Sequence, residues 1–196
     1  MLILSDKKPL GKGRHRLCHA HPDDANKCIK TVHFWGAGGR AELDRELKYY
    51  RHLQKTLKDW SGIPRFFGEI ETDIGTGYVY ELIRSDNGET AKTMCSLMKE
   101  CTTREEAERI FAALKQLLKY LADNHVCTMN MKPYNILFRK KADGTYRAVV
   151  CDNLGEATLI PLARTFNWAN KQKLRRQWKR FLRLGDVRAF KEKYGL

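Results

Sequence analysis

The sequence lacks any long apolar run and contains little proline. No stretch of its 196 residues approaches the roughly 18 consecutive apolar residues that a membrane-spanning helix needs, and no charged-then-apolar signal segment opens the chain. Five prolines and 42% hydrophobic residues argue against extended disorder. We therefore expect a globular cytoplasmic protein without a transmembrane segment, long enough for one domain or two closely packed lobes.

No two cysteines have the C-x-x-C spacing that is typical of zinc sites and redox motifs. Three of them lie in apolar stretches, where a thiol behaves as a small buried hydrophobe. This pattern predicts reduced thiols for all six cysteines, namely Cys18, Cys28, Cys95, Cys101, Cys127 and Cys151.

Acidic residues are scarce near the C-terminus. The chain has a formal net charge of +14, and the segment from Arg164 to Leu196 holds eleven Lys or Arg against two acids, a net +9. Such a concentration favours an acidic partner for residues 164–193: a nucleic acid, an anionic lipid surface or an acidic protein. The alternative is that the charges only form a solvated helix face.

The first half of the chain has short periodic segments broken by turn residues, which predicts strands with one helix. The clearest strands are Cys28–Val32 and Tyr78–Ile83, and apolar residues at helical spacing predict a helix over Arg40–Lys58. The turn-rich segment Ser85–Glu89 then separates a first lobe, residues 1–84, from a helical second lobe, residues 85–196.

The second half opens with a capping box, in which Thr103 is followed three residues later by Glu106 and then by a long apolar stripe. After this helix, the segments Asn135–Arg139 and Ala148–Cys151, joined by an Asp-Gly turn, predict a β-hairpin.

A final amphipathic helix is predicted over Trp168–Leu184. We expect one face to pack on the second lobe and a basic face to remain in solvent. The packed residues are Leu174, Trp178, Phe181 and Leu182, and the basic ones are Lys171, Arg175, Lys179 and Arg183.

The segment Leu118–Leu137, which contains Lys-Pro-x-Asn-Ile-Leu, resembles the end of the long C-lobe helix and the catalytic loop of protein kinases. This resemblance implies that Lys132 neutralises the moving phosphate and that Asn135 gives a side-chain oxygen to Mg²⁺. Farther on, Asp152 resembles the magnesium-binding aspartate of kinases, a hard carboxylate ligand for a hard cation.

Upstream, the segment with Gly11 and Gly13 resembles the glycine-rich loop of kinases, although Arg16 stands in place of the third glycine. Lys30 follows at the distance of the strand that presents the phosphate-binding lysine. The resemblance implies that Lys30 pairs with a glutamate on the next helix, Glu46, with Glu42 one turn earlier as the alternative.

The segment Tyr78–Ile83 looks like the hinge strand of kinases, which implies that backbone groups of Glu81 and Ile83 meet the adenine. Together these resemblances imply an α+β, two-lobed, protein-kinase-like fold with ATP and Mg²⁺ as cofactors. Its N-lobe is small, with a mainly antiparallel sheet and one helix. Its C-lobe is mainly helical and truncated.

Four stretches, within residues 13–16, 60–65, 71–80 and 150–156, also resemble the bacterial YrbL family. That family is labelled a PhoP regulatory network protein. The label implies an enterobacterial-type two-component context and does not specify a biochemical activity.

The kinase pattern fails at the catalytic triplet His-Arg-Asp, which reads Thr128-Met129-Asn130. Asn130 can orient an attacking hydroxyl but cannot take its proton, so a general-base contribution of about 10² to 10⁴ in rate is lost. We expect weak or atypical phosphotransferase activity, toward a protein or small-molecule acceptor that the sequence does not identify. One alternative is a pseudokinase, a regulatory module without catalysis. A second is a nucleic-acid or membrane-surface binder that acts through the basic C-terminal helix.

Overall fold

The computed structural model describes residues 1–36, 39–155 and 167–196. The chain divides into two compact units, the first formed by residues 1–55 with 64–83 and the second by residues 56–63 with 84–196. The fold is mixed α+β, and each unit contains one antiparallel sheet.

The sheet of the first unit has the spatial order β1-β2-β3-β5-β4, and every neighbouring pair is antiparallel. Each strand is short, as the broken periodicity predicts. The five strands are β1 Gly11–Lys12, β2 Arg16–Ala20, β3 Lys27–Val32, β4 Phe66–Thr72 and β5 Gly75–Glu81.

The one helix of the first unit, α1, spans Gly39–Thr56 and confirms the predicted helix to within about two residues at each end. Its Tyr50 ring lies 5.6 Å from the ring of Phe66 and 5.3 Å from that of Tyr80, between ring centroids. Aromatic pairs at such distances add to the free energy gained by burial. The helix therefore packs on the sheet face that carries Tyr80.

The N-terminal segment packs against Ile29 and Val79 through Leu4, and all three side chains are buried. Asp73, in the turn between β4 and β5, fixes this segment. Its carboxylate accepts hydrogen bonds from the backbone N–H of Leu4 at 2.7 Å and of Ser5 at 3.2 Å.

The second unit has a three-stranded sheet with the order β6-β7-β8. The strands are β6 Lys92–Thr93, β7 Ile136–Lys140 and β8 Tyr146–Val150. The helices described in this unit are α2 Met94–Glu100, α3 Arg104–Asp123, α4 Asn167–Phe181 and α5 Gly185–Tyr194, with one 3-10 turn at Pro133–Asn135.

The N-cap half of the predicted capping box and the hairpin are confirmed, while the Glu106 carboxylate accepts a hydrogen bond from the Tyr146 hydroxyl at 2.9 Å. The Thr103 hydroxyl accepts the backbone N–H of Glu106 at 3.2 Å, which satisfies one of the unpaired donors at the start of α3. Strands β7 and β8 pair in register, with Phe138 opposite Ala148. Gly144 in their turn has φ 78°, a conformation that glycine adopts without steric cost.

The predicted packing of the last amphipathic helix is also confirmed. In α4, Leu174 and Phe181 are buried and Trp178 is half-buried, while Lys171, Arg175 and Lys179 are exposed. The helix ends at Phe181, and α5 follows after a short turn as a separate helix. Arg164, where the basic segment begins, lies outside the described residues.

The six cysteines are free thiols, as the sequence predicts. None of the helices in the described ranges is long and apolar enough to cross a membrane.

Candidate functional site

In the first unit, Glu46 is the centre of a buried polar cluster. Its side chain is 4% exposed, and both carboxylate oxygens accept hydrogen bonds from the Arg16 guanidinium at 2.9 Å. The Tyr80 hydroxyl donates a third bond, 3.0 Å long, to Oε1 of Glu46. Glu42, the alternative partner for Lys30, is exposed one turn away.

Lys30 lies at the edge of the same cluster, because its ammonium nitrogen is 4.6 Å from the ring centroid of Tyr80. Burial first, and then the charge of Glu46, raise the pKa of Tyr80 well above its ordinary value, so the phenol keeps the proton that it donates. Tyr80 thus contacts both residues that the kinase resemblance pairs. A direct ion pair between Lys30 and Glu46 stays a prediction.

The two glycines of the predicted nucleotide loop lie at the β1–β2 hairpin. Gly11 is in β1 opposite Cys18, and Gly13 donates its backbone N–H to the carbonyl of Arg16 at 2.8 Å. Apart from its chain neighbours, no heavy atom of the described residues lies within 4 Å of where a Cβ on Gly11 would stand, so they leave its backbone open to approach. The tight turn after Gly13 is what brings Arg16 into β2.

The predicted adenine-facing residues come at the end of the same sheet. Glu81 ends β5, its backbone N–H donates to the carbonyl of Arg65 at 2.9 Å, and its side chain accepts the N–H of Arg65 at 3.2 Å. Ile83 is buried two residues later. The N–H of Glu81 is therefore already used by the protein.

In the second unit, the structure brings together the two predicted metal ligands. The backbone N–H of Cys151 donates to the carbonyl of Asn135 at 2.9 Å, which places Asp152 one residue from that contact. Asn135 ends the 3-10 turn and is buried, and its side-chain Nδ2 has no hydrogen-bond partner among the described residues. A buried amide without a partner is costly, and a bound ligand would relieve that cost.

Magnesium fits this donor set. Among the residues that the structure describes, no three His, Cys, Asp or Glu side chains form a cluster able to hold a metal ion. Mg²⁺ does not require one, because it keeps several waters and uses one or two carboxylates together with phosphate oxygens. A rotation of about 180° about χ2 of Asn135 exchanges the positions of its amide oxygen and nitrogen, so the oxygen can face a metal ion where the nitrogen now stands.

Asn130 is held by a residue that sequence reasoning did not assign to the site. Its Oδ1 accepts a hydrogen bond from Nδ2 of Asn153 at 3.2 Å. Asn153 has φ 59°, and its backbone carbonyl accepts the N–H of Met129 at 2.8 Å. Asparagine is among the few residues that adopt this left-handed conformation readily, a signal that was readable from the sequence beside Asp152.

Helix α4 contacts the loop that contains Thr128 and Asn130 through polar side chains. The Gln177 side chain exchanges two hydrogen bonds with Thr128, one of 3.0 Å from the Thr128 hydroxyl and one of 2.9 Å to its carbonyl. Asn170, fully buried, donates to the carbonyl of Leu121 at 3.1 Å. Sequence reasoning missed both residues, because polar side chains within a basic helix give no signal of an inward contact.

Lys132 is exposed, and its ammonium lies 5.4 Å from the ring centroid of Tyr134. The ring is itself exposed, so the lysine rests on a solvent-facing aromatic surface.

A family model described as PhoP regulatory network protein YrbL matches residues 2–185 of the chain. The chain belongs to this family. This YrbL-family chain is 50% identical over 182 residues to an Escherichia coli (strain K12) protein described as "Uncharacterized protein YrbL". A Shigella flexneri protein with the same description has the same identity. Each match covers 93% of this chain and 87% of the relative.

The YrbL resemblance drawn from four short stretches is thereby confirmed. The family is linked by its description to the PhoP regulatory network. That description specifies no reaction.

Proposed function

We propose that this YrbL-family chain is a kinase-like protein that binds ATP with Mg²⁺ and transfers phosphoryl groups slowly. The observation that carries the proposal is the adjacency of Asn135 and Asp152. Their backbone contact through Cys151 brings the Asp152 carboxylate near the buried Asn135 amide, whose Nδ2 has no hydrogen-bond partner among the described residues. Asn135 lies in the segment that resembles the kinase catalytic loop. Mg²⁺ bound there would offset phosphate charge.

Each residue has a distinct task in this proposal. Asp152 and Asn135 would hold the metal ion through oxygen atoms. The ammonium of Lys132 would neutralise charge on the phosphoryl group. In the first unit, Lys30 would contact phosphate. The Arg16–Glu46 pair would fix helix α1 to strand β2.

Slow transfer follows from Asn130. A carboxamide can accept a hydrogen bond from an acceptor hydroxyl but has no basic site for its proton. Its Oδ1 is already bonded to Asn153, so an acceptor hydroxyl would have to share or displace that bond. Positioning and charge neutralisation, on which phosphoryl transfer mainly relies, remain available.

Calorimetric titration with ATP, with and without Mg²⁺, tests the ligand. We expect magnesium-dependent binding that is lost in Asp152→Ala and retained in Asp123→Ala, which removes an exposed carboxylate of α3. Absence of binding at millimolar nucleotide by the folded protein would refute the proposal.

Product analysis of the Asn130→Asp variant tests the reaction. A carboxylate at this position should raise ATPase or transfer activity by up to about 10² to 10⁴, the usual contribution of a general base. If the variant binds Mg-ATP like the parent yet forms no product in either assay, the pseudokinase alternative is the better account.

A second candidate function, binding to a nucleic acid or an anionic membrane surface, is favoured by the charge of α4. This helix contains six Lys or Arg and no acid, and none of the six makes an ion pair with a carboxylate that the structure describes. Like charges one turn apart cost about 0.2–0.5 kcal/mol per pair, which a polyanion would relieve. Binding to anionic vesicles and to DNA should fall steeply with salt. Binding that is undetectable or independent of salt would favour a purely solvated face.

A further inference from the structure

A small basic groove lies in the second unit between α3 and the β7–β8 hairpin. Its volume is ≈ 140 Å³, which is more than a single water needs. Two alanines of α3 leave the space open. The polar residues that line it are Arg109, Gln116, Lys141, Thr145, Tyr146 and Arg147.

The charge of this groove is unbalanced. Three of its lining residues are cationic, and no carboxylate is among the described residues that line it. Neither Arg109 nor Arg147 makes an ion pair with any carboxylate in the described ranges, and Lys141 has one contact of 3.9 Å, with exposed Asp143. The opposite strand behaves differently, because Arg139, which faces Arg147 across the hairpin, is neutralised by Asp86 at 2.8 Å.

Arg109 is oriented by backbone carbonyls. Its Nε donates to the carbonyl of Glu105 at 3.3 Å and its Nη1 points toward the carbonyl of Gly144 at 3.5 Å. These contacts hold the guanidinium without cancelling its charge, and they leave further donors of the five available. A Cβ on Gly144 would stand 3.3 Å from Nη1, so the glycine makes room for the arginine.

We propose that this groove is an anion site that binds a phosphate dianion, either free phosphate or a phosphate monoester. A phosphate carries about −1.5 to −2 charge at neutral pH and three acceptor oxygens, which suits two guanidinium groups and an ammonium better than a carboxylate does. The groove shares no lining residue with the proposed metal site at Asn135 and Asp152, and an anion site there goes beyond the Mg-ATP function proposed above. Free phosphate and a phosphorylated side chain share this chemistry.

Amide NMR titration at constant ionic strength tests the proposal with three probes: inorganic phosphate, a phosphoserine peptide and acetate. We expect saturable shifts at Gly144 and Thr145 with phosphate, and at least severalfold weaker binding of acetate. Tighter binding of the peptide than of phosphate would identify a phosphorylated protein as the source, and the reverse would identify free phosphate. Equal affinities for acetate and phosphate, or shifts spread over the whole basic surface, would overturn the proposal.

Two variants sharpen the test. Arg109→Gln should weaken phosphate binding about tenfold, as the loss of a charge-assisted hydrogen bond implies. Arg104→Gln removes the same charge from the same helix at an exposed pair with Glu108, and it should leave binding unchanged. Equal losses in both variants would refute the site. Mg-ATP binding should be unaffected by Arg109→Gln, so failure here is distinguishable from failure of the proposed function.

Discussion

The Arg16–Glu46 pair allows a quantitative prediction, because its carboxylate is almost fully buried. The side chains are 14% and 4% exposed, and both guanidinium–carboxylate distances are 2.9 Å. Arg16→Met would leave Glu46 as a buried charge with one of its three hydrogen bonds, the one from Tyr80. Removing one partner of a buried pair costs about 3–5 kcal/mol. Because the Tyr80 hydrogen bond remains, we expect the free energy of unfolding to fall by about 3 kcal/mol.

Urea denaturation followed by circular dichroism measures this cost. With slopes of about 1–3 kcal/mol/M, a loss of about 3 kcal/mol lowers the midpoint by about 1–3 M. Arg188→Met is the matched control, since Arg188 and Glu192 are each 70% exposed at 3.6 Å and such pairs contribute about 0–1 kcal/mol.

The double variant Arg16→Met/Glu46→Gln separates charge from packing. The amide that replaces the Glu46 carboxylate removes the unpaired charge and still accepts a hydrogen bond from the Tyr80 hydroxyl, so we expect the double variant to recover at least half of the loss. An Arg16→Met midpoint equal to that of the Arg188→Met control, or a double variant less stable than Arg16→Met, would refute the reasoning.

Three further predictions concern other contacts. Asn153→Ala puts at φ 59° a residue without the short polar side chain that lets asparagine adopt this conformation, and it should cost about 1–2 kcal/mol in denaturation, whereas Asn153→Gly should recover part of this; equal losses would contradict the conformational explanation. The Ser5 side chain first, and then the Leu4 N–H, hold the pKa of Asp73 below its ordinary value, so the tie to the N-terminal segment is complete above about pH 4 and is lost as the pH falls through the lowered pKa. Protection of the Leu4 amide against exchange, measured relative to the intrinsic rate at each pH, should therefore fall at low pH, and Asp73→Asn should remove this dependence; protection that does not change with pH would refute it. Gln177→Ala should cost about 1–3 kcal/mol, because it leaves the Thr128 carbonyl without its side-chain donor, and a loss below about 0.5 kcal/mol would show that the loop does not depend on α4.

Much of the local structure follows from signals that act within a few residues. The Thr103 N-cap of α3, the Asp-Gly hairpin turn and the amphipathic stripe of α4 each depend on neighbours in the chain, and all three were predicted correctly. Helix α2 and the break before α5 carry weaker local signals, since each helix is short and Gly185 alone marks the break.

The site was harder to predict than the fold, because its contacts join residues far apart in the chain. Arg16 and Glu46 are separated by 30 positions, and Asn130 and Asn153 by 23. The kinase resemblance supplied the positions of Asn135 and Asp152, but it assigned no task to Arg16, whose place belongs to a glycine in that pattern. The guanidinium there provides the counter-charge that the resemblance had assigned to Lys30 alone.

The most direct test of the proposed metal site replaces Mg²⁺ with paramagnetic Mn²⁺ in the presence of ATP. Substoichiometric Mn-ATP should broaden the amide signals of Asn135, Cys151 and Asp152 before any others in the second unit. The Asp152→Ala variant should lose this local broadening, and the Asp123→Ala control should keep it. If these three signals remain sharp while Mn-ATP is bound, or broaden equally in Asp152→Ala, then Asn135 and Asp152 do not hold the metal and the proposed function is wrong.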